Sequence, residues 1–126
     1  METLRITGNA GHSSNPSLGI NALDAMHDVM TELKAYRTQL AAENHNQDFE
    51  IEVPTLNFGC LHGGDNPNRI CGSCELAFDL RALPGMSNDQ LRHEMNERIK
   101  PIASRHNVEF VLEALFQSRK SKDQIK

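Results

Sequence analysis

The sequence contains no tryptophan, one tyrosine and only three cysteines among 126 residues. So few aromatic side chains leave few surfaces on which single-stranded nucleic acid could stack, and a net charge of −4 disfavours binding to phosphate backbones. No apolar stretch approaches the roughly 20 residues that a membrane-spanning helix needs. A small, odd number of cysteines in a chain without a signal-like start is typical of a reducing compartment. We therefore expect a cytoplasmic protein without nucleic-acid or membrane partners.

The common catalytic signatures are missing as well. The chain has no HxxEH or HExxH run, no glycine-rich phosphate loop and no paired carboxylates at catalytic spacing. If the chain belongs to an enzyme, we expect the reaction centre to lie outside these residues.

Hydrophobic periodicity predicts one α+β domain. Alternating apolar residues are typical of strands, and apolar residues at three- and four-residue steps are typical of amphipathic helices. The pattern predicts strands at 2–8, 53–62, 70–83 and 108–116, and helices at 20–43 and 87–106. The order β-α-β-β-α-β is the ferredoxin-like arrangement, in which a four-stranded antiparallel sheet carries two helices on one face.

The predicted helices carry two further signals. Ser87 and Gln90 form a capping box, in which Ser87 caps the second helix and Gln90 reaches back to it. In the first helix, Val29 and Tyr36 widen the main apolar stripe, which indicates that a second face of this helix is also buried.

Three cysteines and a histidine form a candidate metal site, arranged as Cys60-x-His62 and Cys71-x-x-Cys74. Four such ligands could bind zinc tetrahedrally, which would make the chain a zinc-binding interaction module. However, Cys71 and Cys74 lie at the predicted start of a strand, where residues three apart point to opposite faces. Free cysteines are also common as small core residues, and we favour that interpretation.

Three polar residues stand out where the chain turns or where a strand is otherwise apolar. His12 follows the first strand, Asn68 follows the loop at Gly63-Gly64, and Arg81 interrupts an apolar run. Together they predict a site for a small, anionic molecule, although an incomplete one. Each also has a structural explanation: a solvated loop histidine, an asparagine in the left-handed conformation, and an arginine paired with Asp79.

As an ordered set, these motifs resemble the inserted lid, or dimerisation, domain of the dinuclear zinc amidohydrolases related to aminoacylase and succinyl-diaminopimelate desuccinylase. The resemblance covers about residues 2–117, which we predict to be this domain. Its motifs are Gly11-His12-Ser13-Ser14, Gly19-x-Asn21-Ala22, Gly63-Gly64, Asn68-Arg69-Ile70, and Asp79-x-Arg81 with Pro84-Gly85. Most relatives carry Ile-Pro after the asparagine, whereas this chain has Ile70-Cys71, which points to the acetylornithine deacetylase branch. We expect residues 118–126 to be a polar tail that is disordered or non-native.

The resemblance implies that metal binding and substrate contacts belong to different domains. An absent catalytic domain would hold two zinc (or cobalt) ions, so we expect this chain to bind no metal and to be inactive alone. His12 would cross a homodimer interface and hydrogen-bond the oxyanion in the partner subunit's site. Asn68 and Arg81 would contact the substrate, with Arg81 forking onto a carboxylate. The implied reaction is hydrolysis of N-acetylornithine to ornithine and acetate, a step of arginine biosynthesis.

The implied homodimer agrees with the widened stripe of the first helix, which together with an adjacent edge strand could form the interface. A different class of function remains open from the sequence. The chain could be a free-standing ferredoxin-like module that binds an amino acid as a regulator.

Overall fold

The computed structural model describes residues 1–47 and 53–115, in which four long strands form one antiparallel sheet. The strands are β1 (Glu2–Thr7), β2 (Gly11–His12), β3 (Thr55–Gly63), β4 (Arg69–Ile70), β5 (Ser73–Arg81) and β6 (Glu109–Ala114), and the helices are α1 (Ala22–Glu43) and α2 (Asn88–His106). The main sheet has the order β3-β5-β1-β6, and every neighbouring pair is antiparallel. The predicted ferredoxin-like α+β fold is confirmed.

A single apolar core lies between the sheet and the helices. Alternate residues of the two central strands point into it, as the period of two requires. Four residues at three- and four-residue steps along α2 are all buried there: Leu91, Met95, Ile99 and Ile102. Burial of these faces is what holds both helices on the same side of the sheet.

Asn21 sets the start of α1 two residues later than predicted. Its Oδ1 accepts hydrogen bonds from the backbone N–H groups of Leu23 at 2.8 Å and Asp24 at 3.1 Å, which makes it an N-cap. Val29 and Tyr36, the two residues that predicted a second buried face of α1, do not lie on such a face. Both belong to the core cluster between the sheet and the helices, whereas Leu23 near the start of α1 is 43% exposed.

Ser87 begins α2 as the sequence predicts. Its hydroxyl accepts a hydrogen bond from the backbone N–H of Gln90 at 3.3 Å. The side chain of Gln90 donates to Glu94 at 3.2 Å instead of reaching back to Ser87, so half of the capping box forms. Asn107, with a left-handed φ of 59°, ends the helix at His106.

The predicted strand 70–83 is in fact two strands, because the chain passes from a small second sheet to the main one. The small sheet pairs β2 with β4. The carbonyl of Gly72 accepts a hydrogen bond from the N–H of Gly8 at 2.9 Å, and a Cβ at Gly72 would lie 3.0 Å from the backbone nitrogen of Ala10. This close approach of two backbone segments separates β4 from β5.

The last predicted strand is observed as far as Ala114. Its predicted final residue, Phe116, and the predicted tail at 118–126 lie outside the described residues. Among the helices of the described part, none is long and apolar enough to cross a membrane.

Candidate functional site

The small β2–β4 sheet brings two of the three predicted site residues together. His12 stands opposite Arg69 in the antiparallel register, and the N–H of Ser13 donates to the carbonyl of Asn68 at 3.0 Å. His12 and Asn68 are both exposed. They are therefore neighbours on one surface at the end of the main sheet from which β5 starts.

The loop between β3 and β4 holds the backbone of Asn68 in place. Gly64 has a φ of +83°, which glycine adopts without strain. The side-chain oxygen of Asn66 then accepts a hydrogen bond from the N–H of Asn68 at 3.1 Å. The left-handed explanation for Asn68 is wrong, since among non-glycine residues of the described chain only Asn107 has a positive φ. The N–H and the carbonyl of Asn68 are thus both hydrogen-bonded, while Asn68 as a whole stays exposed.

The imidazole of His12 is held from its Nδ1 side by Ser14. The Nδ1 atom lies 2.9 Å from Ser14 Oγ, and the backbone N–H of Ser14 donates to it at 3.4 Å. The N–H of Asn15 donates to the His12 carbonyl at 3.1 Å and closes a four-residue turn. Sequence reasoning did not single out Ser14, because the closeness of its hydroxyl to the ring depends on this turn.

Arg81 lies far from the other two predicted site residues. It ends β5, whose first residue follows β4 by only two residues, and nine residues of strand extend over about 26 Å. Its Nε donates to Asp79 Oδ2 at 2.8 Å, which is the pairing that the sequence offered as its structural explanation. The guanidinium is nevertheless 74% exposed. One chain therefore carries two separate polar surfaces, one at each end of β5.

A cleft of about 400 Å³ opens beside the β3–β4 loop. Two ion pairs border it, from Arg5 to Glu75 at 2.9 Å and from Arg69 to Asp65 at 3.4 Å. Both pairs are largely exposed, so water and dissolved salt screen them and they contribute little to stability. Arg69, which sequence reasoning treated only as a motif position, is the charged residue that the register places against His12.

The four candidate zinc ligands do not form a site. Cys60 and His62 lie exposed on the edge strand β3, whereas Cys71 and Cys74 are buried in the core. Within the described residues, no group of three His, Cys, Asp or Glu side chains is placed to hold a metal ion. The zinc-binding alternative is therefore not supported.

The prediction that Cys71 and Cys74 point to opposite faces of the sheet is wrong. Both belong to the core cluster, because the chain bends between β4 and β5. Burial raises the pKa of the Cys74 thiol above its ordinary value of 9.0. A protonated, buried thiol is unreactive, which fits a packing role for Cys74.

The described residues thus form a ferredoxin-like domain with an exposed polar surface at each end of its second central strand, β5. Residues 1–107 match the family described as the peptidase dimerisation domain. The chain belongs to this family.

The most similar curated relatives that we compared with this chain are acetylornithine deacetylases. The chain is 52% identical over 99 residues to an acetylornithine deacetylase of Vibrio cholerae serotype O1, and 49% identical over 102 residues to one of Yersinia pseudotuberculosis. These alignments cover 79% and 81% of this chain but only 26% of each relative. The chain therefore spans about a quarter of the length of the curated relatives that it matches.

Solved structures share the fold at low sequence identity. A putative aminohydrolase from methicillin-resistant Staphylococcus aureus superposes with a TM-score of 0.69 at 22% identity, covering 89% of this chain and 28% of that one. A hydantoinase/carbamoylase family amidase from Burkholderia ambifaria gives 0.65 at 17% identity, covering 91% and 26%. At such identities the comparison establishes the fold alone.

Proposed function

We propose that this chain is the dimerisation and lid domain of an acetylornithine deacetylase, acting in arginine biosynthesis in the cytoplasm. The observation that carries the proposal is the β2–β4 sheet, which places His12 beside Asn68 on an exposed surface. The identity of about 50% to acetylornithine deacetylases supports the choice of reaction. N-acetylornithine would be the substrate, and the chain alone would be inactive.

The catalytic metal, zinc or cobalt, would be held by the remaining part of the enzyme, since the described residues offer no cluster of ligands for it. The metal would polarise the acetyl carbonyl of the substrate. The part of this chain in the reaction would be to donate hydrogen bonds. His12 would stabilise the oxyanion of the tetrahedral intermediate, a role that is worth about 3 kcal/mol where a single donor has been removed from comparable sites.

Asn68 and Arg81 would contact the substrate, but at different active sites of one dimer. Strand β5, which spans about 26 Å, lies between the two residues, and a single molecule of this size does not bridge that length. If His12 and Asn68 reach the partner subunit's site, then Arg81 serves the site of its own subunit. There its exposed guanidinium would exchange Asp79 for the substrate carboxylate, which it can bind with two parallel hydrogen bonds.

The edge strand β3, together with α1, would form the dimer interface. Arg37 of α1 donates to the carbonyl of Leu56 in β3 at 3.2 Å, which ties helix and edge together. Leu61 of β3 and Leu23 of α1 are 45% and 43% exposed, and residues 55–63 contain no charged side chain other than a histidine. The other edge, β6, carries Glu109 and Glu113, which would repel their copies in a symmetric pairing.

Domain exchange tests the proposal. The matching segment of the Vibrio cholerae acetylornithine deacetylase is replaced by this chain, and hydrolysis of N-acetylornithine is measured. We expect the exchanged enzyme to retain activity and the exchanged enzyme with His12→Ala to lose about a hundredfold or more in kcat, whereas His45→Ala leaves kcat unchanged. An inactive but folded and dimeric exchange enzyme would contradict the proposal. Tight binding of ornithine or arginine by this chain alone, measured by calorimetry, would favour an amino-acid-binding module instead.

A further inference from the structure

The contacts at His12 specify more than the position of its ring. The backbone N–H of Ser14 can only donate a hydrogen bond, and its acceptor is Nδ1 of His12 at 3.4 Å. The Nδ1 atom of a neutral imidazole that accepts a hydrogen bond carries no proton, so the proton lies on Nε2. The Ser14 hydroxyl, 2.9 Å from the same Nδ1, then has its own hydrogen to donate to it.

We infer that Ser14 is a positioning residue that fixes the tautomer of His12 with its proton on Nε2. The inference rests on the proposed function, in which His12 must donate a hydrogen bond to an oxyanion. Only the Nε2–H form offers a donor on the side of the ring opposite to Ser14. With the other tautomer, the ring would present a lone pair to the developing negative charge and would repel it.

The turn that follows His12 explains why Ser14, and not its neighbour, has this role. The bond from the N–H of Asn15 to the His12 carbonyl folds the chain back at Ser13 and Ser14. The N–H of Ser13 is already used, because it donates to the Asn68 carbonyl across the β2–β4 sheet. The N–H and the hydroxyl of Ser14 both contact the imidazole instead.

Nitrogen NMR of the 126-residue chain tests the inference without any reaction. The chain is labelled with ¹⁵N, the two ring nitrogens of His12 are assigned by their loss in a His12→Gln variant, and spectra are recorded near pH 8.5, where imidazole is ordinarily neutral. We expect one proton-bearing Nε2 and one bare Nδ1, without the averaged shifts of a freely exchanging ring. Ser14→Ala removes the closer hydroxyl contact at 2.9 Å and keeps only the longer backbone contact at 3.4 Å, so the two shifts should move toward each other. In Ser14→Thr, which keeps a hydroxyl, they should return.

Ser13→Ala is the matched control, because it removes a hydroxyl from the same turn and should leave both shifts unchanged. A protonated Nδ1, or identical ring shifts in the wild type and Ser14→Ala, would overturn the inference. An equal change in Ser13→Ala would also overturn it, since the effect would then belong to the turn as a whole.

The exchanged enzyme separates this inference from the proposed function. There, Ser14→Ala should lower kcat about fivefold, which is the effect of one ordinary hydrogen bond, with KM unchanged and with recovery in Ser14→Thr. If His12→Ala leaves kcat intact, the proposed function fails whatever the NMR shows. If His12→Ala abolishes activity but Ser14→Ala changes neither kcat nor the ring shifts, the role of His12 stands and the inference about Ser14 fails.

Discussion

Arg92 of α2 binds the carboxylate of Glu2 with two of its nitrogens, Nε at 2.6 Å and Nη2 at 3.0 Å. Glu2 is only 1% exposed and is the one charged residue among the buried residues of the described chain. Hydrogen bonding to Glu2 raises the pKa of Arg92 further above its already high ordinary value. A buried carboxylate without such a partner would be strongly destabilising, so this pair joins the first strand to the second helix.

Removing the Glu2 charge should therefore destabilise the fold. We expect Glu2→Gln to lower the free energy of unfolding by about 2 kcal/mol, because it leaves a mostly buried guanidinium without its main partner. Urea denaturation measures this quantity. Asp89→Asn is the matched control: Asp89 also accepts from Arg92, at 2.7 Å, but its side chain is 89% exposed, and its loss should cost less than about 0.5 kcal/mol. Equal losses in the two variants would show that the buried pair of Glu2 and Arg92 stabilises the fold no more than the exposed contact to Asp89 does.

The crossing between β1 and the loop before α1 should not tolerate a side chain at Gly8. A Cβ there would lie 2.2 Å from the carbonyl oxygen of Ile20, and Asn9 and Ile20 exchange two backbone hydrogen bonds at 2.8 Å. We expect Gly8→Ala to cost about 2 kcal/mol or more and to lower the midpoint of thermal unfolding. Gly59→Ala is the control, since its Cβ would meet only ordinary contacts, at 3.6 Å from the Ala77 carbonyl oxygen. If the midpoint of Gly8→Ala equals that of the wild type, then Gly8 and Ile20 do not approach each other as closely as described.

Stability should fall in mild acid partly through Glu94. Its carboxylate accepts a hydrogen bond from the Tyr36 hydroxyl at 2.6 Å, and this bond is the largest factor that lowers the pKa of Glu94 below 4.5. A carboxyl group with a lowered pKa in the folded state stabilises the protein above its unfolded pKa and loses that contribution as the pH falls through the folded value. We therefore expect the free energy of unfolding to decrease as the pH falls below about 4.5.

Tyr36→Phe isolates the contribution of this hydrogen bond. The substitution keeps the buried ring, over which the Arg98 guanidinium lies 4.8 Å from the centroid. At neutral pH it should cost about 1 kcal/mol, and this difference should shrink below pH 4.5. Circular dichroism melts across pH 3 to 7 would measure both curves. Parallel curves over the whole range would mean that the Tyr36 bond does not set the acid response.

The proposed interface predicts different behaviour at the two edges of the sheet. Leu61→Lys on β3 should weaken self-association about tenfold or more, since it places a charge on an apolar contact surface. Val111→Lys on β6 is the matched control, because Val111 is 53% exposed against 45% for Leu61. Sedimentation of the two variants across a concentration series would measure the dissociation constants. Weaker association in Val111→Lys but not in Leu61→Lys would assign the interface to the opposite edge.

Local patterns predicted the elements of the fold well, because their signals are contained in a few neighbouring residues. The apolar spacing of α2 and its cap at Ser87 were both confirmed. The β2–β4 sheet was not predicted, since two-residue strands leave no periodic pattern. The break at Gly72 was missed for a related reason: it depends on the backbone of Ala10, more than sixty residues earlier in the chain.

The candidate site shows the same limit. His12 and Asn68 could be named from their setting in polar loops, but their adjacency follows from a pairing of segments distant in sequence. Arg81 was grouped with these two residues because of its motif, and a motif does not reveal that Arg81 lies at the far end of β5. The role of Val29 and Tyr36 was misjudged because a wide apolar stripe also fits a helix that packs against both the sheet and its neighbouring helix.

In the proposed function, His12 completes an active site in the partner subunit. The sharpest test of this role mixes two inactive forms of the exchanged enzyme, one carrying His12→Ala and one lacking a metal ligand of the catalytic domain. The two are unfolded together and refolded, and hydrolysis of N-acetylornithine is measured. We predict that about a quarter of the original activity returns, because half of the dimers are mixed and each mixed dimer holds one complete site. If mixed dimers form but no activity returns, His12 does not act across the interface.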